Sequence, residues 1–197
     1  MVLNKIRDQI KPVVDSIGMA FARTGLSPTT WTVVGFFFAV LSGVLYARYS
    51  SEPYLAGLAL IFSGIFDVID GAVARITNKV SKSGSFNDST LDRLAEVAIF
   101  SGIIYAGYTN SLVVLLALAF SLLVSYTRAK GDALLVILKG VGIGERAERL
   151  LVLIVFSLLG FVWLGVYVVL VLAIITFVQR YYSILSRLVE SSKKPTA

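Results

Sequence analysis

The chain has 197 residues, of which 57% are hydrophobic and only 15% charged, with a mean hydropathy of +0.84. Soluble domains average about 45–50% apolar and about 25% charged, so this composition excludes an ordinary soluble domain, and it is far too apolar for a disordered chain. There is no cysteine and no histidine, which removes disulfides, thiolate nucleophiles, Cys/His zinc sites and a histidine general base. Acid–base or metal chemistry falls to the 12 carboxylates, and any metal must be a hard, oxygen-seeking one.

In chain order, residues 1–27 open with Lys5, Arg7, Lys11 and Arg23 set among Ile6, Ile10, Val13, Val14, Ile17 and Phe21. This pattern predicts an amphipathic helix on the membrane surface; it lacks a small-residue cleavage site and does not read as a signal peptide. Six apolar stretches follow, at 28–47, 53–74, 91–108, 111–127, 149–163 and 165–186. Most are long enough to cross about 30 Å of hydrocarbon as a helix, and two are marginal. The expected architecture is all-α and integral to the membrane: a surface helix over 1–27, a six-helix domain over 28–187, and a polar tail over 188–197.

Basic residues set the expected orientation. With the N-terminus inside, every Lys and Arg of the 18 except Arg48 falls on the inner side, including Lys139, Lys193 and Lys194. This obeys the positive-inside rule, so the net charge of +6 reads as orientation and headgroup affinity rather than a nucleic-acid footprint. The outer loops at 48–52, 109–110 and near 164 are short, whereas the inner loops 75–90 and 128–148 are long and polar. The predicted location is the cell membrane, multi-pass, with both termini and the active site on the cytoplasmic side.

Four acids stand out at the inner ends of the second and third spans. Asp67 and Asp70 are three apart and share a helix face, as do Asp88 and Asp92, four apart. Asp67 lies about 12 Å of helix before Arg75, so both pairs fall at a similar shallow depth. Four ionised carboxylates in low dielectric repel strongly and are expensive to insert; Mg²⁺ or Mn²⁺ relieves this, taking carboxylate oxygens and recruiting substrate phosphates as further ligands. Read otherwise, the acids are helix caps paired with Arg75, Arg93 and Lys79, but caps do not need two matched pairs. An ion pathway would need polar residues continuing outward, and the last two spans have almost none. Gly71 and Gly84 beside the acids let a ligand approach the backbone closely, or let helices pack through small residues.

The run Asp67-x2-Asp70-Gly71-x2-Ala74-Arg75-x8-Gly84-x3-Asp88-x3-Asp92 resembles the signature of the CDP-alcohol phosphotransferases, with every fixed position present. The segment Thr29, Thr30, Trp31 and Thr32 looks like that family's cytidine-side segment. Three basic clusters, Ser125–Lys130, Gly144–Arg149 and Val178–Arg180, look like the branch that makes inositol phospholipids, and the short chain matches the archaeal members in style.

The resemblance implies two metal ions per site, Mg²⁺ or Mn²⁺, with Asp67 and Asp88 bridging them, Asp70 on the first and Asp92 on the second. Asp92 would also be the catalytic general base. Thr29, Thr30, Trp31, Thr32, Gly71, Arg75, Ser81 and Gly84 would hold the CDP-lipid. The acceptor's phosphate would meet Ser125, Arg128, Lys130, Arg146, Arg149 and Arg180, whose guanidinium groups suit phosphate forks. The reaction implied transfers the phospho-lipid group of a CDP-lipid, CDP-archaeol favoured, to a hydroxyl of 1L-myo-inositol 1-phosphate. It releases CMP and gives archaetidylinositol phosphate. CDP-diacylglycerol as donor, or glycerol 3-phosphate as acceptor, is the alternative. The expected partners are these substrates, membrane lipid and a second copy in a homodimer, without nucleic acid.

Overall fold

A computed structural model describes residues 2–138 and 140–193; Lys139 and Lys194, among the expected inner cations, lie outside them. Every regular element among the described residues is an α-helix: α1 (Val2–Ala22), α2 (Pro28–Arg48), α3 (Pro53–Ile76), α4 (Lys82–Ala106), α5 (Ser111–Ala133), α6 (Arg146–Leu158) and α7 (Val162–Lys193). Local signals explain most boundaries. Ser27 caps α2 by accepting the Thr30 N–H at 3.2 Å, with Pro28 in the first turn. Ser81 caps α4 through the Gly84 N–H at 3.0 Å, and Asn110 caps α5 through the Leu112 N–H at 2.8 Å. Gly107 closes α4 in the left-handed region.

Among the described residues four helices, α2, α3, α5 and α7, are long and apolar enough to cross a membrane. The two other expected spans differ from their sequence outlines. The helix holding 91–108 begins at Lys82, because the Ser81 cap lies ten residues before the apolar run, so its N-terminal part is polar and carries Asp88 and Asp92. The helix expected over 149–163 is α6, of 13 residues, about 20 Å long and shorter than the hydrocarbon. It ends at a left-handed Gly160. The last helix runs through 188–193, the beginning of the expected tail.

α2 packs against α3 and α4, α6 against α3 and α7, and α5 against α4 and α7, while α1 lies against α3. The core draws on small and medium residues, among them Ala39, Ala56, Leu60, Ala95, Ile99, Ala117 and Val166. Helices in lipid associate through close backbone approach rather than through exclusion of water. The tightest approach joins α2 and α4: a Cβ on Gly102 would sit 2.0 Å from the Gly43 carbonyl oxygen. Two buried polar contacts join helices across the core. The Ser42 hydroxyl donates to the Ala56 carbonyl at 3.0 Å, and Tyr46 shares a hydrogen bond with Ser157. On α1, Gly18 seats against Ala72 and Ile76 of α3, leaving Val13, Ile17 and Met19 exposed. Phe21, Trp31 and Phe66 clamp α1, α2 and α3 together, with the Trp31 and Phe66 rings stacked 5.9 Å apart. α1 is thereby fastened to the C-terminal half of α3, which carries Asp67 and Asp70.

Candidate active site

The four acids converge from two helices. Carboxylate oxygens of Asp67, Asp70 and Asp88 lie within 4.8 Å of one another. Asp70 is buried. Its Oδ2 and the Oδ1 of Asp88 are buried without a hydrogen-bond partner. Orphaned carboxylate oxygens are costly in low dielectric. An all-oxygen donor set at this spacing, with two buried oxygens left unpaired, fits a hard divalent cation. Asp92, one turn beyond Asp88, stands apart from this triad. Its Oδ1 forms an ion pair with Nη2 of Arg146 at 2.9 Å, and its Oδ2 lies 3.4 Å from Nη1 of Arg93. The other prong of Arg146, Nη1, reaches Oδ1 of Asp67 at 3.1 Å. One guanidinium thus ties together acids of α3 and α4 from the first residue of α6.

A cleft of about 290 Å³ opens beside the triad, with Asp70 and Asp88 at its floor. Of the residues expected to hold the CDP-lipid, Thr29, Thr32, Gly71, Arg75, Ser81 and Gly84 line it. Thr30 and Trp31 do not. Thr30 is engaged with Ser27 at the α2 cap, and Trp31 belongs to the aromatic clamp. Lys79 and Ser85 line the cleft as well and were not among the residues expected to hold the CDP-lipid, although both lie inside the acid signature. Ser81 and Gly84 have a second task, because their hydrogen bond starts α4 and so sets the rotation of Asp88 and Asp92.

The six residues expected at the acceptor's phosphate fall into distinct environments. Arg146 touches the acids. Arg128 is exposed, with Nη1 3.5 Å from Oε1 of Glu145, and Lys130 is also exposed. Ser125 donates to the Ser121 carbonyl at 3.4 Å. Arg149 is buried, giving Nη2 to Glu96 at 2.9 Å and Nη1 to the Gly144 carbonyl at 2.7 Å. Arg180 is buried too. It donates to the carbonyls of Val141 and Val124 at 3.1 and 3.0 Å, and to Glu145 at 2.9 Å. Arg149 and Arg180 thus tie down both ends of the segment 141–145, which delivers Arg146 to the acids. Glu96 and Glu145, the partners in these contacts, were missed from sequence. The signal was there for Glu96, four residues after Asp92 on the same face of α4, and for Glu145, beside Arg146.

Comparison with known proteins gives the arrangement its context. Over 187 residues, covering 95% of this chain and 98% of the relative, the chain is 39% identical to the archaetidylinositol phosphate synthase of Pyrococcus horikoshii. The archaetidylinositol phosphate synthase of Methanothermobacter thermautotrophicus is 39% identical over 194 residues, covering 95% and 96%. Among solved structures, Mycobacterium tuberculosis phosphatidylinositol phosphate synthase with CDP-DAG bound superposes with a TM-score of 0.74 at 24% identity, covering 89% of this chain and 94% of that one. The same enzyme in complex with manganese and citrate gives 0.75 at 24%, covering 88% and 89%; at this identity the likeness establishes the fold. The family model described as CDP-alcohol phosphatidyltransferase matches residues 25–179. That interval takes in all four acids and every cleft residue named above, and the chain is therefore a member of this family, an enzyme of the CDP-alcohol phosphotransferase class.

Proposed function

We propose that the enzyme transfers the phospho-lipid group of a CDP-lipid, with CDP-archaeol the favoured donor, to a hydroxyl of inositol 1-phosphate, releasing CMP. The observation that carries this reading is the 39% identity, over nearly the full length of both chains, to proteins named archaetidylinositol phosphate synthase. The chemistry supports it, since an acid triad beside a polar cleft suits a pyrophosphate, and the cations Arg128, Lys130 and Arg146 suit an acceptor that is itself a phosphate ester.

In this reading Thr29, Thr32, Gly71, Arg75, Ser81 and Gly84 orient the CDP portion in the cleft. Divalent ions, Mg²⁺ or Mn²⁺ and two per site, would be held by Asp67, Asp70, Asp88 and Asp92, and when bound they supply the positive charge that a departing phosphate needs. Asp92 takes the acceptor's hydroxyl proton on a carboxylate oxygen. As it does so, the hydroxyl oxygen bonds to the lipid-bearing phosphorus, the phosphoanhydride bond breaks, and CMP leaves with the bridging oxygen. Arg128, Lys130 and Arg146 hold the acceptor's phosphate, while Arg149 and Arg180 position the segment that carries Arg146. We place the site on the cytoplasmic side, as the distribution of Lys and Arg favours, in a homodimer.

The test is CMP release by purified enzyme with Mg²⁺ or Mn²⁺, comparing CDP-archaeol with CDP-diacylglycerol and inositol 1-phosphate with glycerol 3-phosphate and free inositol. Turnover with inositol 1-phosphate alone is the expected result. Turnover with glycerol 3-phosphate alone would keep the acid chemistry and overturn the acceptor, and turnover with free inositol would remove the role given to the cations.

A further inference from the structure

Three arginines of the cytoplasmic end are largely buried, and one is held differently from the others. Arg149 and Arg180 each donate to two backbone carbonyls besides their carboxylate. Such arginines are part of the frame, because moving either would strand carbonyls as well as a charge. Arg146 has no carbonyl partner among the described residues. Its two prongs go to Asp67 and Asp92, and its Nε is buried without a partner. A void of about 10 Å³, room for about one water, adjoins the guanidinium, Asp67, Asp70 and Asp92. Arg146 is therefore held by the very carboxylates that the site needs free: Asp67 as a ligand, Asp92 as a ligand and proton acceptor.

We propose that Arg146 is a displaceable counter-ion that competes with the second divalent ion for Asp67 and Asp92, so that this ion and the acceptor's phosphate bind cooperatively. The inference rests on the reading of the acids as metal ligands. With a first ion among Asp67, Asp70 and Asp88, the guanidinium occupies Asp92 and shares Asp67, contributing one positive charge where a second divalent ion brings two. The backbone need not move for the exchange. One turn along α6, Arg149 is anchored to Glu96, Gly144 and Ser121, so only the Arg146 side chain has to turn. An arriving phosphate ester offers the displaced guanidinium an anion in place of the carboxylates it gives up. Reciprocally, a site already holding the second ion binds the phosphate more tightly, as linkage requires. Asp92 is thereby kept neutralised until both are present.

Mn²⁺ binding by the purified full chain, followed by electron paramagnetic resonance in detergent micelles, tests this without turnover. Wild type should show a tight class of Mn²⁺ and a weaker second class. Arg146→Gln should tighten the weaker class by about tenfold or more, the scale of releasing charge-assisted hydrogen bonds. Arg128→Gln, which touches none of the acids, should leave both classes unchanged. Inositol 1-phosphate should tighten the weaker class in wild type but not in Arg146→Gln; equal tightening in both would reflect chelation by the phosphate and overturn the coupling. An unchanged or weaker second class in a folded Arg146→Gln overturns the competition. Should that variant not fold, Arg146→Lys, which keeps the charge but loses the fork, must still bind the second ion more tightly than wild type, or the inference fails. No Mn²⁺ binding by wild type, or binding unaffected by Asp70→Asn, would instead refute the acid site itself and remove the basis of the inference.

Discussion

Replacing Glu96 by Leu should destabilise the protein far more than an ordinary single substitution does. Glu96 and Arg149 form an ion pair at 2.9 Å, with side chains only 10% and 3% exposed. Removing the carboxylate leaves a guanidinium in low dielectric with only the carbonyls of Gly144 and Ser121 for partners. Stranding one member of a buried pair costs about 3–5 kcal/mol. At about 2–4 °C per kcal/mol for a chain of this size, the melting temperature should fall by roughly 10 °C. The assay is thermal unfolding followed by circular dichroism in detergent. A second variant separates charge from packing: Glu96→Leu combined with Arg149→Met removes both charges and should recover part of the loss, the remainder reflecting the Gly144 and Ser121 carbonyls left without the guanidinium. A single variant that melts within about 2 °C of wild type would refute the reasoning, as would a double variant that melts as low as the single.

Asp92→Asn should retain helical content and the melting temperature while CMP release falls by at least about 10²-fold, the low end for a lost general base; normal turnover would move the proton acceptor elsewhere. Chelation by EDTA should abolish CMP release, and excess Mg²⁺ or Mn²⁺ should restore it; release that persists after dialysis against chelator would contradict the metal reading. Gly102→Ala places a Cβ 2.0 Å from the Gly43 carbonyl oxygen. Separating α2 from α4 should cost at least about 1–3 kcal/mol, seen as a lower melting temperature, and a melting curve identical to wild type would show that the helices do not meet this closely.

Much of the site was legible in sequence because its determinants are local. Acids three and four apart share a helix face whatever surrounds them, so Asp67 with Asp70 and Asp88 with Asp92 follow from helical geometry alone. The two ends of the loop between them belong to consecutive helices, which makes the meeting of Asp67, Asp70 and Asp88 nearly a consequence of connectivity. The boundaries were harder. The apolar run marked the third span from 91, but the hydrogen bond that starts the helix is made by Ser81, and hydropathy does not see a cap. α6 posed the opposite problem, an apolar stretch of almost spanning length whose helix has only 13 residues.

Composition and patterning by themselves determined that this chain is helical and built for a membrane, that its polar residues gather toward one end, and that four carboxylates stand there in two helical pairs in a chain without histidine or cysteine. These properties depend on the transfer energy of side chains and on the 3.6-residue repeat, both of which are written along the chain. The division of labour among the arginines was decided only in three dimensions. In sequence Arg146, Arg149 and Arg180 are three similar cations near the ends of the last two apolar stretches. Folding buries two of them against carbonyls brought from α5 and from segment 141–145, and sets the third across Asp67 and Asp92. The energy of a guanidinium depends on which acceptors surround it and on how little water remains, and those acceptors lie 28, 39, 56 and 79 residues away along the chain.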